Sequence, residues 1–353
     1  MMRRLKIVNF TTPILWLLRT VIIVLVIWGT IVTVLDNPYS NRQWFDLFVF
    51  GIVLGCLYGL IAVGYTLVYK MLQLINFAHG EFFMSGAMTA TIFIAVPMSS
   101  TGFLTRHPCL ALLIIAIVAM AISVLLAVLT ERVAYRPLRK APRLVSTITA
   151  LGASVFWRYF FRDLYGSEVK PFPRVPIFSE TIPFFGTVLL KSHVVVIIIS
   201  VMMFLGLIFF ITRTKTGKTI LAVAGNKDMA VLMGINIDHT VTITFAIGAA
   251  MAGVAGVLYA LVFGKVHFYM GFIPGIKAFT AAMLGGIGSV PGAVFGGLLL
   301  GIYEHVGLSL FLGGFDITAV YQLKDAFTFA MLIFIMIFRP QGIVRQQLSE
   351  EKS

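Results

Sequence analysis

What most restricts this chain is the recurrence of apolar runs long enough to cross a bilayer, separated by short polar loops. Such runs occupy 14–35, 45–69, 109–130, 144–161, 193–211, 241–263, 292–312 and 319–338, with a further one ending near Val96. A helix needs roughly 20 predominantly apolar residues to span a hydrocarbon core about 30 Å thick. The 353-residue chain is 59% hydrophobic and 12% charged, about half the ~25% charge of a soluble domain. These observations exclude a soluble globular fold. They predict an all-α polytopic membrane protein of about ten apolar segments, short or broken ones included.

A formal net charge of +13 would suit a nucleic-acid binder, but the basic residues sit in short loops beside spans, which is the pattern of membrane orientation. The run ERVAYRPLRKAPRL sets Arg132, Arg136, Arg139, Lys140 and Arg143 against Glu131 and offers only Tyr135 for base stacking. It places that loop in the cytoplasm and argues against nucleic acid as a partner. Counting spans outward from it, the basic N-terminus and the tail with Arg339 and Arg345 are also cytoplasmic. The 14–35 run, interrupted by Arg19 and lacking a small-x-small site at 34–37, is an uncleaved first span. Residues 162–191, with Pro171, Pro173, Pro176 and Pro183, form the largest outer loop. Cys56 and Cys109 lie in or beside apolar segments and have no metal-ligand spacing.

Three stretches interrupt the apolar pattern informatively. The first, 212–241, is about thirty residues long, too long for a tight turn between spans. Asn226 suits the N-cap of a short helix over 227–233, and Gly234 suits its left-handed end. Residues 219–224 read as another turn or two of helix, closed by Gly225. Ile220, Val223, Ala224, Val231 and Leu232 recur at helical spacing. Two readings fit: a helix–turn–helix that docks a cytoplasmic partner, or an amphipathic helix on the headgroups. Gly217-Lys218-Thr219 resembles the tail of a phosphate loop, but Thr212 stands where the first glycine belongs and a span, not a strand, precedes it. ATP binding by this chain is therefore not expected.

The second stretch, 71–90, brings Asn76, His79 and Glu81 into an apolar setting with Gly80 and Gly86. Ionisable groups at membrane depth are costly and face cavities, partners or an aqueous end. It reads either as a broken helix lining a permeation path or as a polar turn wetted at the interface. The third, 275–301, is interrupted by Gly285, Gly286, Gly288, Pro291 and Gly292, and about 15 apolar residues precede the break, too few for an ordinary span. Pro291 where a third glycine would stand, and the lack of a preceding strand, exclude a dinucleotide loop. Breaks after the second and the seventh span occupy corresponding places of two halves, the pattern of a transport path built on a weak two-fold repeat. A proton-coupled secondary transporter using Glu81, His79 or Glu304 is the alternative. An intramembrane serine protease is disfavoured, because Ser85 lies six positions from His79, off one helix face.

Four stretches taken in order, GLIAVGYTLVYKMLQLINFAHGEFFMSGA, ERVAYRPLRKAPRL, TKTGKTILAVAGNKDMAVLMGINI and KAFTAAMLGGIGSVPGAVFGGLLLG, resemble the LivH-type inner-membrane permeases of ABC importers for branched-chain amino acids. The resemblance covers about 45–345. It implies a permease domain with a coupling loop at 212–241, preceded by the basic N-terminus and an extra first span (1–44) and followed by a cytoplasmic tail (346–353). It further implies a second permease subunit, two cytosolic ATPase subunits that bind the ATP, and a periplasmic or surface-anchored solute-binding protein. This chain would then do no chemistry and hold no cofactor. The implied ATPase-coupling residues are Gly217, Lys218, Ala224, Asn226, Met229, Ala230 and Gly234. Those implied near the translocation path are Asn76, His79, Glu81, Gly285, Gly286 and Gly288. The expected solute is a branched-chain amino acid, with urea or a short amide as the variant found among wider relatives.

Overall fold

In hydrocarbon a backbone can satisfy its polar groups only within helices or closed barrels, and this sequence takes the helical solution. The computed structural model describes residues 11–36, 38–139, 141–184, 187–315, 320–338 and 342–343. Among them, seven helices are long and apolar enough to cross a membrane: α2 (Asn41–Leu72), α3 (His79–Ser100), α4 (Pro108–Tyr135), α5 (Leu144–Tyr165), α6 (Lys191–Arg213), α9 (Ile237–Phe263) and α11 (Val290–Leu312). Besides single turns, the remaining helices among the described residues are α1 (Thr11–Asp36), the two short helices α7 (Lys215–Gly225) and α8 (Lys227–Leu232), α10 (Phe272–Gly285) and α12 (Val320–Phe338).

Helix ends follow local chemistry. Ser40 and Gln43 form a reciprocal capping box that starts α2 four residues ahead of the apolar run. Gln73, left-handed at φ 53°, ends it. The chain then turns back, and α3 starts with His79 against Gly64. Gly64 lies two turns before the end of α2, so α3 begins about 12 Å inside it. On the other side, α10 starts where Gly271 meets Gly80 and runs for 14 residues, roughly 21 Å, too short to span. Both breaks expected from the sequence are present, but the first falls at residues 73–78, ahead of His79, and Gly80 and Gly86 lie inside the helix that follows.

Helix association in lipid depends on close packing rather than on expulsion from water. Two triads do this in the same way. In α2–α3–α4 and α9–α10–α11, the first helix of each lies along the third helix of the other, α2 on α11 and α9 on α4. The α2–α11 seam is glycine against glycine: a Cβ on Gly301 would sit 2.2 Å from the Gly51 carbonyl oxygen. Within the second triad, a Cβ on Gly285 would sit 1.8 Å from the Gly292 carbonyl oxygen. α1 touches the bundle at the far end of α11, with Gly29 against Phe311, and presents Trp28 and Leu35 outward.

At one end of the bundle, β2 (Thr181–Phe184) and β3 (Thr187–Leu190) form an antiparallel hairpin, and β1 (Lys170–Pro171) pairs with β4 (Lys265–Val266). The proline-rich loop is thus partly ordered as strand, which its prolines concealed; Pro183 lies in a two-stranded ribbon, where an edge position tolerates it. At the opposite, basic end, α7 and α8 fold onto α2 and α9 around Val68, Met71, Tyr135, Ile220, Val223, Ala230, Val241 and Phe245.

Replacing Gly301 by leucine should force α11 off α2 and destabilise the protein by about 1–3 kcal/mol, the usual cost of overpacking. Gly152→Leu should be neutral, because nothing lies within 4 Å of a Cβ there. Thermal midpoints of the two variants in detergent test this, and equal midpoints would refute a close-packed seam.

Candidate functional site

Two regions carry the polar chemistry: the mid-depth junction where α3 and α10 begin, and the capped helices at the basic end.

At the junction, Asn76 Oδ1 accepts hydrogen bonds from the Tyr135 hydroxyl (2.6 Å) and the Ala78 N–H (3.2 Å), holding the returning chain in place. The His79 ring fills the space left by Gly64 and meets the Tyr65 ring edge-on at 4.8 Å. Glu81, two positions on, points elsewhere, as helical spacing requires. Its Oε1 accepts from Arg158 Nε (3.1 Å), Arg158 Nη2 (2.6 Å) and Ser154 Oγ (3.0 Å), both partners on α5. The Arg158 guanidinium in turn lies 4.8 Å over the Tyr269 ring and 4.5 Å over that of Phe272. Tyr269 is held through its N–H, which donates to His267 Nδ1 at 3.2 Å. Half-burial and the neighbouring Lys265 lower the proton affinity of His267, which keeps that nitrogen available as an acceptor.

Asn76, His79 and Glu81 are thus all buried, and each serves a different partner. His79 and Glu81 do not form the pair that a relay would need. Glu304 is likewise committed. It sits in a π-turn of α11 (Tyr303–Gly307), pairs with Lys277 of α10, and accepts from the Tyr58 hydroxyl at 3.0 Å. Lys277 also pairs with Asp325 of α12 at 2.6 Å. The partners Arg158 and Lys277 were not singled out from the sequence. The available signal was a single basic residue inside an apolar run, in VFWRYFF and GIKAF.

The glycines of the second break lie at the basic end rather than at mid-depth. Gly286 and Gly288 adopt φ of 101° and 99°, which glycine takes without steric cost. Ser289 Oγ accepts from the Gly292 N–H and so caps α11. The turn faces α7 across a cavity of about 220 Å³ lined by Lys70, Ile220, Leu221, Ala224, Ser289 and Pro291, among others. Near it the Ile343 N–H donates to the Leu284 carbonyl at 2.9 Å, so the end of the described chain covers a free carbonyl at the foot of α10.

In the loop between α6 and α9, Thr214 caps α7 and Asn226 caps α8 through the Met229 N–H. Gly234, at φ 77°, completes a Schellman closure: its N–H donates to the Val231 carbonyl and that of Ile235 to the Ala230 carbonyl. Gly217 packs against the last turn of α6, where a Cβ would sit 2.3 Å from the Phe210 carbonyl oxygen. Gly217 and Ala230 therefore lie inside. Ala224 is half-buried, and Lys218, Asn226, Met229 and Gly234 face outward. Val231 and Leu232, which recur at helical spacing, are exposed, while Ala230 is the buried residue of α8; Leu232 and Met233 stand 80% and 79% exposed. Behind them, buried Glu131 holds Arg139 and accepts from the Thr242 hydroxyl (2.9 Å), while Arg139 also grips Asp238 in the first turn of α9. The basic loop is thereby fastened to the exit of the α7–α8 segment.

Gly234→Val forces a β-branched residue into left-handed backbone and should fray α8. At a cost of roughly 1–2 kcal/mol, amide exchange across 227–233 should quicken about tenfold. Gly225→Ala, with open space at its Cβ, should leave exchange unchanged. Slow exchange in the valine variant would contradict the cap.

Comparison with known proteins bears on these features together. Residues 47–336 match the family described as the branched-chain amino acid transport system permease component. The chain is 40% identical over 300 residues to the high-affinity branched-chain amino acid transport system permease protein BraD of Pseudomonas aeruginosa, covering 83% of this chain and 93% of that one. It is 39% identical over 315 residues to the corresponding permease LivH of Escherichia coli K12, covering 87% and 96%. Among solved structures, PsaBC from Streptococcus pneumoniae in complex with Fab is similar at a TM-score of 0.44 and 14% identity, over 87% of this chain and 95% of that one. With the family match spanning most of the helical bundle, the chain belongs to the permease components of the branched-chain amino acid transport systems, and it is a transport subunit rather than an enzyme.

Proposed function

We propose that this chain is one of two permease subunits of an ATP-driven importer for branched-chain amino acids, and that α7 and α8 are the elements through which ATPase subunits drive it. The observation that carries the proposal is the exposed apolar ridge of Leu221, Met229, Val231, Leu232 and Met233, borne on two helices with side-chain N-caps, the second also closed at its C-terminus by Gly234, and backed by a small core of their own. An apolar surface on a rigid mount, at the end that carries the basic loop, is suited to a protein partner. Positive-inside charge assigns that end, and both termini, to the cytoplasm of a bacterial-type inner membrane. The hairpin end would then face a periplasmic or surface-anchored solute-binding protein.

In this reading ATP is bound and hydrolysed on two cytosolic partners, and the chain itself holds no cofactor. Closure of the ATPases displaces α7–α8 as one lever. α6 and α9, which flank the loop, carry the movement into the bundle, and α7 bears on the Gly286–Ser289 turn across the cavity between them. The two triads are the halves of an internal repeat, and the junction of α3 with α10 is where outward and inward openings exchange. Packed helices switch between discrete arrangements more readily than they bend. The buried charges are paired within the bundle, which suits a solute with no net charge. A zwitterionic amino acid satisfies that condition, and urea or a short amide is the alternative. Proton coupling finds little support, because Glu81 and Glu304 are both held by cations.

Leu232→Asp with Met233→Asp should leave membrane insertion intact while ATPase subunits no longer copurify in mild detergent and ATP-dependent leucine uptake falls at least tenfold, the scale of losing a buried apolar anchor. Copurification at the normal level would remove the ridge from the docking surface. A chain that purified alone and moved solute in liposomes without ATP would overturn the importer reading itself.

A further inference from the structure

We infer that Glu81 and Arg158 are the recognition site for the charged head of the transported amino acid, exchanging their mutual pairing for its ammonium and carboxylate groups. The inference rests on the proposed import of a zwitterionic solute and names the residues that would read it.

The hydrogen bonding of the pair is one-sided. Glu81 Oε1 receives three donors, from Arg158 Nε, Arg158 Nη2 and Ser154 Oγ. Glu81 Oε2, equally buried, has no hydrogen-bond partner among the described residues. A guanidinium and a carboxylate brought together for stability alone would place two parallel N–H groups on two oxygens, and a buried acceptor left empty is costly. The second buried charge cluster shows what a closed structural clamp looks like: Lys277 takes Glu304 Oε1, and the Tyr58 hydroxyl takes Oε2. The Glu81 site has spare capacity that the Glu304 site lacks.

The location agrees. Glu81 lies in the first turn of α3, at the junction where α3 and α10 both begin inside the membrane. Ends of discontinuous helices near the midplane are where transporters hold small charged solutes. Arg158 is 7% exposed and is covered by Tyr269 and Phe272. These two residues belong to the segment that descends from the hairpin end, and Tyr269 is 40% exposed on its outer side. Their rings lie over the charges as a cover and offer an apolar surface for a branched side chain. Ammonium at the vacant Glu81 Oε2 and carboxylate on the guanidinium would keep the site neutral throughout. An isolated cation or anion would leave one of the two buried charges unpaired.

The test uses the assembled complex in nanodiscs without solute-binding protein, so that selection by the binding protein does not enter. Binding of radiolabelled leucine is measured with unlabelled leucine, isopentylamine (no carboxylate) and 4-methylpentanoate (no ammonium) as competitors. The wild-type complex should bind leucine and prefer it to either analogue by at least about tenfold, the scale of one charged hydrogen bond. Glu81→Gln should lose the preference against 4-methylpentanoate, and Arg158→Gln the preference against isopentylamine. Arg158→Lys, which keeps the charge, should weaken leucine binding with an unchanged thermal midpoint. The exchange Glu81→Arg with Arg158→Glu should recover the midpoint and not the binding. Unaltered discrimination in the glutamine variants, recovery of binding in the exchanged pair, or no leucine binding by a wild-type complex that imports leucine would each reduce the pair to a structural clamp. A wild-type complex that imports no amino acid at all would instead refute the proposed substrate.

Discussion

Two helices of this protein begin within the bundle rather than at its ends, and the rest of the bundle answers the cost of that. The first turn of any helix leaves backbone N–H groups without intrahelical partners, and lipid offers them nothing. The starts of α3 and α10 are therefore enclosed by protein. Gly80 and Gly271 bring the two backbones together, Gly64 yields space to His79, and a Gly275 backbone closes the other side. The long helices α2 and α9 cross beside this junction and are locked by α11 and α4 respectively. A chain of ordinary spans would need none of these contacts.

Each of these two helices also carries one buried charge, and the two are of opposite sign. Glu81 on α3 is held by Arg158 from α5, and Lys277 on α10 by Glu304 from α11 and Asp325 from α12. Buried pairs gain little net stability over apolar packing but penalise any arrangement that separates them. They fix the rotation and height of two helices that start within the bundle rather than at its ends. Loss of one partner would leave a charge stranded in a low-dielectric interior.

Much of this was legible in the sequence because it rests on period and composition. The spans, the folded helices within 212–241, the Asn226 cap, the left-handed Gly234 and the short segment before Gly285 follow from run lengths and from residues with narrow backbone preferences. Partner choice was not legible. Glu81 and Arg158 lie 77 positions apart, and nothing in the spacing of either says which way it faces. A six-residue helix such as α8 is also too short for its periodicity to select which side faces inward; Ala230 is the residue it buries. Thr212 and the span before it already set Gly217 apart from a phosphate loop, but the sequence did not show that Gly217 packs against the last turn of α6, because a glycine required for close approach and one required for a phosphate leave the same letter.

The end of the described chain has a mechanical consequence. α10 is tied to α12 through Lys277 with Asp325, and its last turn is tied separately, through the Leu284 carbonyl, to the Ile343 N–H, which lies beyond the end of α12. One contact holds the flank of α10 and the other its foot. Any stroke that lowers or tilts α10 therefore works against an ion pair and a backbone hydrogen bond at once.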